Sequence, residues 1–202
     1  RLYLQATNLE LAIECYIPAE VEQMGKVVVP GKNFLDLVRF LPQGTISLEK
    51  TGEFDLTVRY ENSETVFRGM DPVDFPAFPD IQGEIQGAIP APLFKKIVRQ
   101  VVFAASTNEA RPVFTGVLLD FMAEQLVMVA TDTHRLAKQI IPWQGNGQGK
   151  VIVPAKTMQE IARFAGEDQE IQLKISKNQI YFRTGQVAFI SRVINGQYPD
   201  YN

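Results

Sequence analysis

The sequence predicts an α+β fold of repeated units, each with two helices on one face and antiparallel sheets on the other. Three observations predict it. A long segment recurs at a constant offset of 124 residues, three proline-opened helices share one pattern, and short β-prone strands fill the stretches between them. The 202 residues suffice for two ordinary cores. A net charge of -3 excludes coating of nucleic acid by bulk attraction. The absence of a run of about 18 apolar residues argues against a spanning helix. One cysteine, Cys15, cannot form an intramolecular disulfide or a thiolate zinc cluster, and it suits a reducing, cytoplasmic setting. With His134 as the sole histidine, the usual multi-histidine metal sites are excluded too, so no metal and no cofactor is expected.

The repeat organises everything else. Val27-Val-Val-Pro30 returns as Val151-Ile-Val-Pro154, and Ala6-Thr-Asn8 returns as Ala130-Thr-Asp132. The same offset carries Lys32 onto Lys156, Arg39-Phe40 onto Arg163-Phe164, Arg59 onto Arg183 and Arg68 onto Arg192. A constant offset across proline, arginine and the apolar pattern is the mark of duplication. Along the chain, Leu11, Ile13, Cys15 and Ile17 alternate as a strand. Pro30 then opens a helix over 31–41, and Phe54, Leu56 and Val58 alternate again. Between Asp71 and Pro92, Asp-Pro, two Phe-Pro steps and two glycines break all periodicity, which sets a boundary there. Pro90 opens a second helix, followed by strands at Val117–Phe121, Leu126–Ala130 and Leu136–Ile141. Pro154 opens a third, followed by Ile171–Ile175 and Ile180–Phe182. One domain is therefore expected at 82–202 and the later part of another at 1–81. The counterpart of 85–124 would lie before Arg1, so the natural protein is expected to continue upstream.

Each helix repeats its faces. Phe34, Phe94 and Met158 stand four residues after the proline, and Leu37, Ile97 and Ile161 stand seven after it. These share a helical face, which must be buried. Arg39, Arg99 and Arg163 stand nine after the proline, on the opposite side at about 100° per residue. Lys32, Lys95, Lys96 and Lys156 join them. The three helices sum to +5, so the remainder of a chain at -3 must carry -8. An ordinary solvated helix face would explain any one of these helices. Recurrence of the outward arginine on all three points to one cationic surface facing a polyanion, with salt-sensitive phosphate contacts that carry no sequence information.

Several motifs do not support catalysis. Gly145-Asn-Gly-Gln-Gly-Lys150 has the wrong glycine spacing for a Walker loop, and Val151 follows where Ser or Thr is needed. It reads as a flexible loop joining half-units. Thr131, Asp132 and His134 are triad residue types, but neighbours on one strand-turn cannot converge as a triad does. Asp71, Asp80 and Asp200 adjoin prolines and read as turn formers, and Trp143 reads as a packing residue at a rim. No catalytic residues are expected.

Three segments carry a family resemblance from end to end. Asn108-Glu-Ala-Arg-Pro-Val-Phe-Thr-Gly116, Ala130-Thr-Asp-Thr-His-Arg-Leu-Ala137 and Ser191-Arg-Val-Ile-Asn-Gly-Gln-Tyr-Pro-Asp-Tyr201 closely resemble the β sliding clamp, the processivity subunit of bacterial DNA polymerase III. The resemblance implies a DNA clamp fold of three similar domains per protomer, with the third missing here. Two protomers would close head to tail into a homodimeric ring around duplex DNA, helices inside and sheets outside, tethering the replicative polymerase. The channel-facing set would be Lys32, Arg39, Lys95, Lys96, Arg99, Lys156 and Arg163. Arg111 matches a family position near DNA at the ring face; Pro112 and Val113 stand where some members have aromatics. The family's groove for a short hydrophobic peptide from polymerase and clamp loader would draw on Phe114, Thr131, Thr133, His134, Arg135, Leu136, Pro199 and Tyr201. Thr133 replaces the Gly common there, which bears on pocket width. Taken without the resemblance, Phe114 and Leu136 could equally be core residues. A hydrolase should lose turnover when His134 or Asp132 is changed, and a free-standing interaction module would use Phe114 and Leu136 while ignoring DNA.

Overall fold

The computed structural model describes residues 1–78, 83–167 and 169–201. The chain opens with β1 (Leu2–Thr7), β2 (Leu11–Ile17), α1 (Gly31–Val38), β3 (Ile46–Thr51), β4 (Asp55–Tyr60) and β5 (Ser63–Phe67). There follow β6 (Ile85–Pro90), α2 (Ala91–Val101), β7 (Gly116–Phe121), β8 (Gln125–Thr131) and β9 (Leu136–Pro142). The last elements are β10 (Gly149–Pro154), α3 (Ala155–Phe164), β11 (Glu170–Ile175), β12 (Gln179–Thr184) and β13 (Val187–Arg192). An offset of 124 carries β1, β3 and β4 onto Leu126–Thr131, Glu170–Ile175 and Gln179–Thr184, so the duplication extends to the strand ends.

Two compact units form: Arg1–Pro18 with Pro79–Asn202, and Ala19–Phe78. The larger unit holds a six-stranded sheet in the order β1-β2-β13-β12-β11-β6 and a four-stranded sheet β10-β7-β8-β9, all neighbours antiparallel. The sequence boundary at 81/82 lies outside the described residues. The expected division into 1–81 and 82–202 also differs from these units in the first 18 residues. By repeat, β1 and β2 are counterparts of β8 and β9. By hydrogen bonding they belong with the second repeat, because β2 runs antiparallel to β13 with Ile13 opposite Phe189. An edge strand offers unpaired donors and acceptors, and β2 satisfies those of β13.

Pro30, Pro90 and Pro154 each sit immediately before the first helical residue, where a φ near -55° and a missing N–H cost nothing. In α2 and α3 the +4 and +7 residues Phe94, Ile97, Met158 and Ile161 are fully buried against both sheets, with Phe94 6.1 Å from the Phe182 ring. Each such side chain contributes about 1.5–3 kcal/mol by leaving water. The four-stranded sheet is buried on its other face too: Val113, Ile194, Tyr198 and Tyr201 cover Leu118, Val127, Val129 and Ile152. This explains why β7 is buried at every position rather than at alternate ones, Asp120 included. Trp143, expected at a rim, is instead a core residue at 3% exposure with its ring edge-on to Phe121 at 4.9 Å.

The smaller unit pairs α1 with the sheet β3-β4-β5. Leu56, Val58 and Phe67 are buried, and Phe34 meets Phe67 edge-on at 5.7 Å. The helix ends at Val38 rather than at the expected 41, and none of its residues is fully buried. Phe34 and Leu37 are half-buried where their counterparts Met158 and Ile161 are 0% exposed. The Gly145–Lys150 loop is not free as expected. Asn146 and Gln86 exchange two backbone hydrogen bonds of 2.8 and 3.1 Å, and Gly145 lies so close to Trp143 that a Cβ would stand 2.1 Å from its ring.

Candidate nucleic-acid interface and peptide groove

α2 and α3 pack against each other, so their outward sides are neighbours. Burial of Phe94, Ile97 and Val98 on the inner side of α2 turns Lys96 and Arg99 outward, with Lys95 half-buried beside them. Pro92, Lys95, Lys96, Arg99, Gln100 and Glu167 line a cavity of about 390 Å³ on this surface. On α3, Lys156 and Arg163 are exposed for the same reason. Arg111 is exposed in the loop before a 3-10 turn at Pro112–Thr115. That loop approaches the start of α3, where Glu109 Oε1 lies 3.9 Å from Lys156 Nζ. In the smaller unit, Lys32 and Arg39 are exposed on α1.

The groove residues are built around one tight turn. Asp132 accepts backbone hydrogen bonds of 3.0 Å from both His134 and Arg135, and its carboxylate also meets Arg135 Nε at 3.0 Å. Those two backbone donors, first Arg135 and then His134, hold the Asp132 carboxyl below its ordinary value. Thr131 Oγ1 donates to the Arg135 carbonyl at 2.7 Å and accepts from the Thr133 amide at 3.1 Å. Closing the turn this way forces Thr133 to φ 81°, the left-handed region that favours glycine. A glycine would adopt this conformation without a Cβ clash, whereas Thr133 bears the strain. His134, Arg135 and Leu136 project into solvent, Leu136 at 49% exposure, so the core reading of Leu136 is overturned.

Register gathers the rest. Thr131 stands opposite Leu136, and Leu118 opposite Val129. Carried on, the same register sets Gly116, and half-buried Phe114 before it, at the end of the sheet where Thr131 lies. Phe114 is tied there by its carbonyl, which accepts from the Ser106 amide at 2.8 Å. The chain after β13 crosses the outer sheet face. Tyr198 Oη accepts from the Thr131 amide at 3.1 Å and donates to the Val129 carbonyl at 3.3 Å, and burial pushes its phenol up to about 12. Pro199 is exposed beside it. Tyr201 Oη hydrogen-bonds Asp120 Oδ2, with Lys138 and Lys150 Nζ at 4.8 and 5.5 Å from its ring. Thus the turn, Leu136, Tyr198 and Tyr201 share one surface.

Four contributors escaped the sequence reading. Tyr198, Asp120, Lys138 and Ile140 shape this surface, and Ile140 is 52% exposed on the same side of β9 as Leu136. The alternation Leu136, Lys138, Ile140 was a usable signal. Nothing local marked Asp120, whose partner Tyr201 lies 81 residues away.

The sequence matches two family models, the DNA polymerase III beta subunit N-terminal domain over residues 1–79 and the central domain over residues 88–200. The chain belongs to the DNA polymerase III β subunit family. It is 33% identical over 207 residues to the beta sliding clamp of Staphylococcus epidermidis, covering 98% of this chain and 55% of that relative. The sliding clamp structure from Bacillus subtilis aligns with a TM-score of 0.90 at 30% identity, over 97% of this chain and 55% of that one. The DNA polymerase III subunit beta from Pseudomonas aeruginosa aligns with a TM-score of 0.90 at 27% identity, over 98% and 56%. The chain therefore spans about half the length of the clamps it matches. In this chain β1 and β2 lie in the stretch matched by the N-terminal domain model while extending the sheet of the stretch matched by the central domain model.

Proposed function

We propose that this chain is part of a DNA sliding clamp: in the full-length protein, a head-to-tail homodimeric ring that encircles duplex DNA without sequence preference. The ring tethers the replicative DNA polymerase in the cytoplasm, has no catalytic site of its own, and takes polymerase and clamp-loader peptides in the groove around Thr131, Leu136 and Tyr201. The observation that carries this reading is the two-sided character of α2. Its apolar side is locked into the sheets, while Lys95, Lys96 and Arg99 form a cationic surface on an otherwise acidic chain. Such loose phosphate attraction suits topological retention, since tight contacts would arrest sliding. Ring growth through further domains is supported by an edge strand: among the described residues β9 is outermost in its sheet, whereas its counterpart β2 is paired with β13.

The full-length protein, loaded onto nicked circular DNA, should be retained and should escape once the circle is linearised. Retention indifferent to DNA topology overturns the clamp reading. Neutralising Lys95, Lys96 and Arg99 together should lower loading or retention while far-ultraviolet circular dichroism stays unchanged. Unchanged loading and retention would remove α2 from the channel.

A further inference from the structure

The three helices place different charges at one repeat position. Six residues after the proline stand Asp36 in α1, Lys96 in α2 and Glu160 in α3, while the outward arginine at +9 is constant. On a helix these positions are neighbours three residues apart. Accordingly, Arg39 Nη1 lies 3.6 Å from Asp36 Oδ1, and Arg163 Nη2 lies 2.6 Å from Glu160 Oε2. α3 is muted further by Glu109 beside Lys156. On α2 the partner position is itself cationic. Among the described residues, no carboxylate oxygen comes within ion-pair distance of Lys95, Lys96 or Arg99. Glu167 shares their cavity without pairing.

We infer that the +6 side chain sets how strongly each helix holds the DNA backbone: Lys96 makes α2 the gripping helix, while Asp36 and Glu160 withhold Arg39 and Arg163 from phosphate. This rests on the reading that these helices face DNA. An arginine held by a carboxylate must exchange that partner for a phosphate, so it displaces fewer counterions than a free one. Asp36 and Glu160 are thus positioning residues that lower friction, and each acts through its arginine. The arrangement balances retention against sliding within one fold.

The test uses the full-length protein on a short linear duplex, measured by fluorescence anisotropy across a salt series, with one-dimensional diffusion followed on circular DNA. Asp36→Asn with Glu160→Gln should tighten duplex binding roughly three- to tenfold at low salt. It should steepen the slope of log affinity against log salt by up to about two for each protomer that touches the duplex, and slow diffusion. Lys96→Glu should weaken binding and reduce the slope by about one for each such protomer. If the Asp36/Glu160 variant matches wild type while neutralising Lys95, Lys96 and Arg99 still weakens binding, the control by +6 is overturned and the channel reading stands. If neither variant changes binding or slope, both fail.

Discussion

Thr133 shows how one residue can work against the turn it occupies. The hydrogen bonds of Thr131 and Asp132 hold it at φ 81°, and a β-branched side chain there costs about 1–2 kcal/mol. Thr133→Gly should therefore raise unfolding free energy by roughly 1 kcal/mol in urea titrations, although glycine loses more backbone entropy on folding. An equal or lower midpoint would mean that the strain is relieved elsewhere. Tyr198 makes an opposite contribution, pinning the segment after β13 through Thr131 and Val129. Its folded pKa is raised to about 12 from 10, so the folded state holds the proton more tightly than the unfolded one. The corresponding stability is complete below pH 10 and is lost as pH rises towards 12. Tyr198→Phe should be less stable than wild type at neutral pH by about 1 kcal/mol. It should also show a shallower alkaline decline; an identical slope in both proteins would show that Tyr198 is not the group responsible.

At the scale of elements, each helix is specified twice. Proline sets where it starts, and the +4/+7 apolar pair sets which side turns inward. Ile97 and Ile161 are buried at 1% and 0% exposure, so truncating either to alanine should cost about 2–5 kcal/mol. Leu37→Ala, at the equivalent but half-buried place in α1, should cost less in the same denaturation assay. Equal losses at all three sites would contradict the difference in burial. These helices were legible because period and burial coincide. The strand β9 was legible as an element and its alternation marked Leu136, Lys138 and Ile140 as one row. Only the tertiary structure shows that this row stays exposed while the same face of β7 and β8 is covered by Val113, Ile194, Tyr198 and Tyr201.

For the whole molecule, the decisive feature is a sheet that ignores the boundary between repeats. β1 and β2 belong to the first repeat and complete the sheet of the second, with β2 covering the edge of β13. Removing residues 1–18 should expose that edge, including backbone groups beside Phe189 and Ile190. The shortened chain should self-associate with rising concentration in light scattering, or lose midpoint stability. A monomer as stable as the original would show that this pairing contributes little.

What the sequence determined by itself was everything governed by local periodicity and internal repetition. The offset of 124, the proline-opened helices, their outward arginines and the segments that became β2, β4, β7, β8, β9, β11 and β12 follow from spacing that one chain carries within it. Tertiary structure alone decided the pairing of β2 with β13, the burial of Trp143, the anchoring of the Gly145–Lys150 loop and the Asp120–Tyr201 contact. These join residues far apart in the chain, and neither hydrophobic period nor turn chemistry encodes which distant partner will satisfy a buried polar group or a free strand edge.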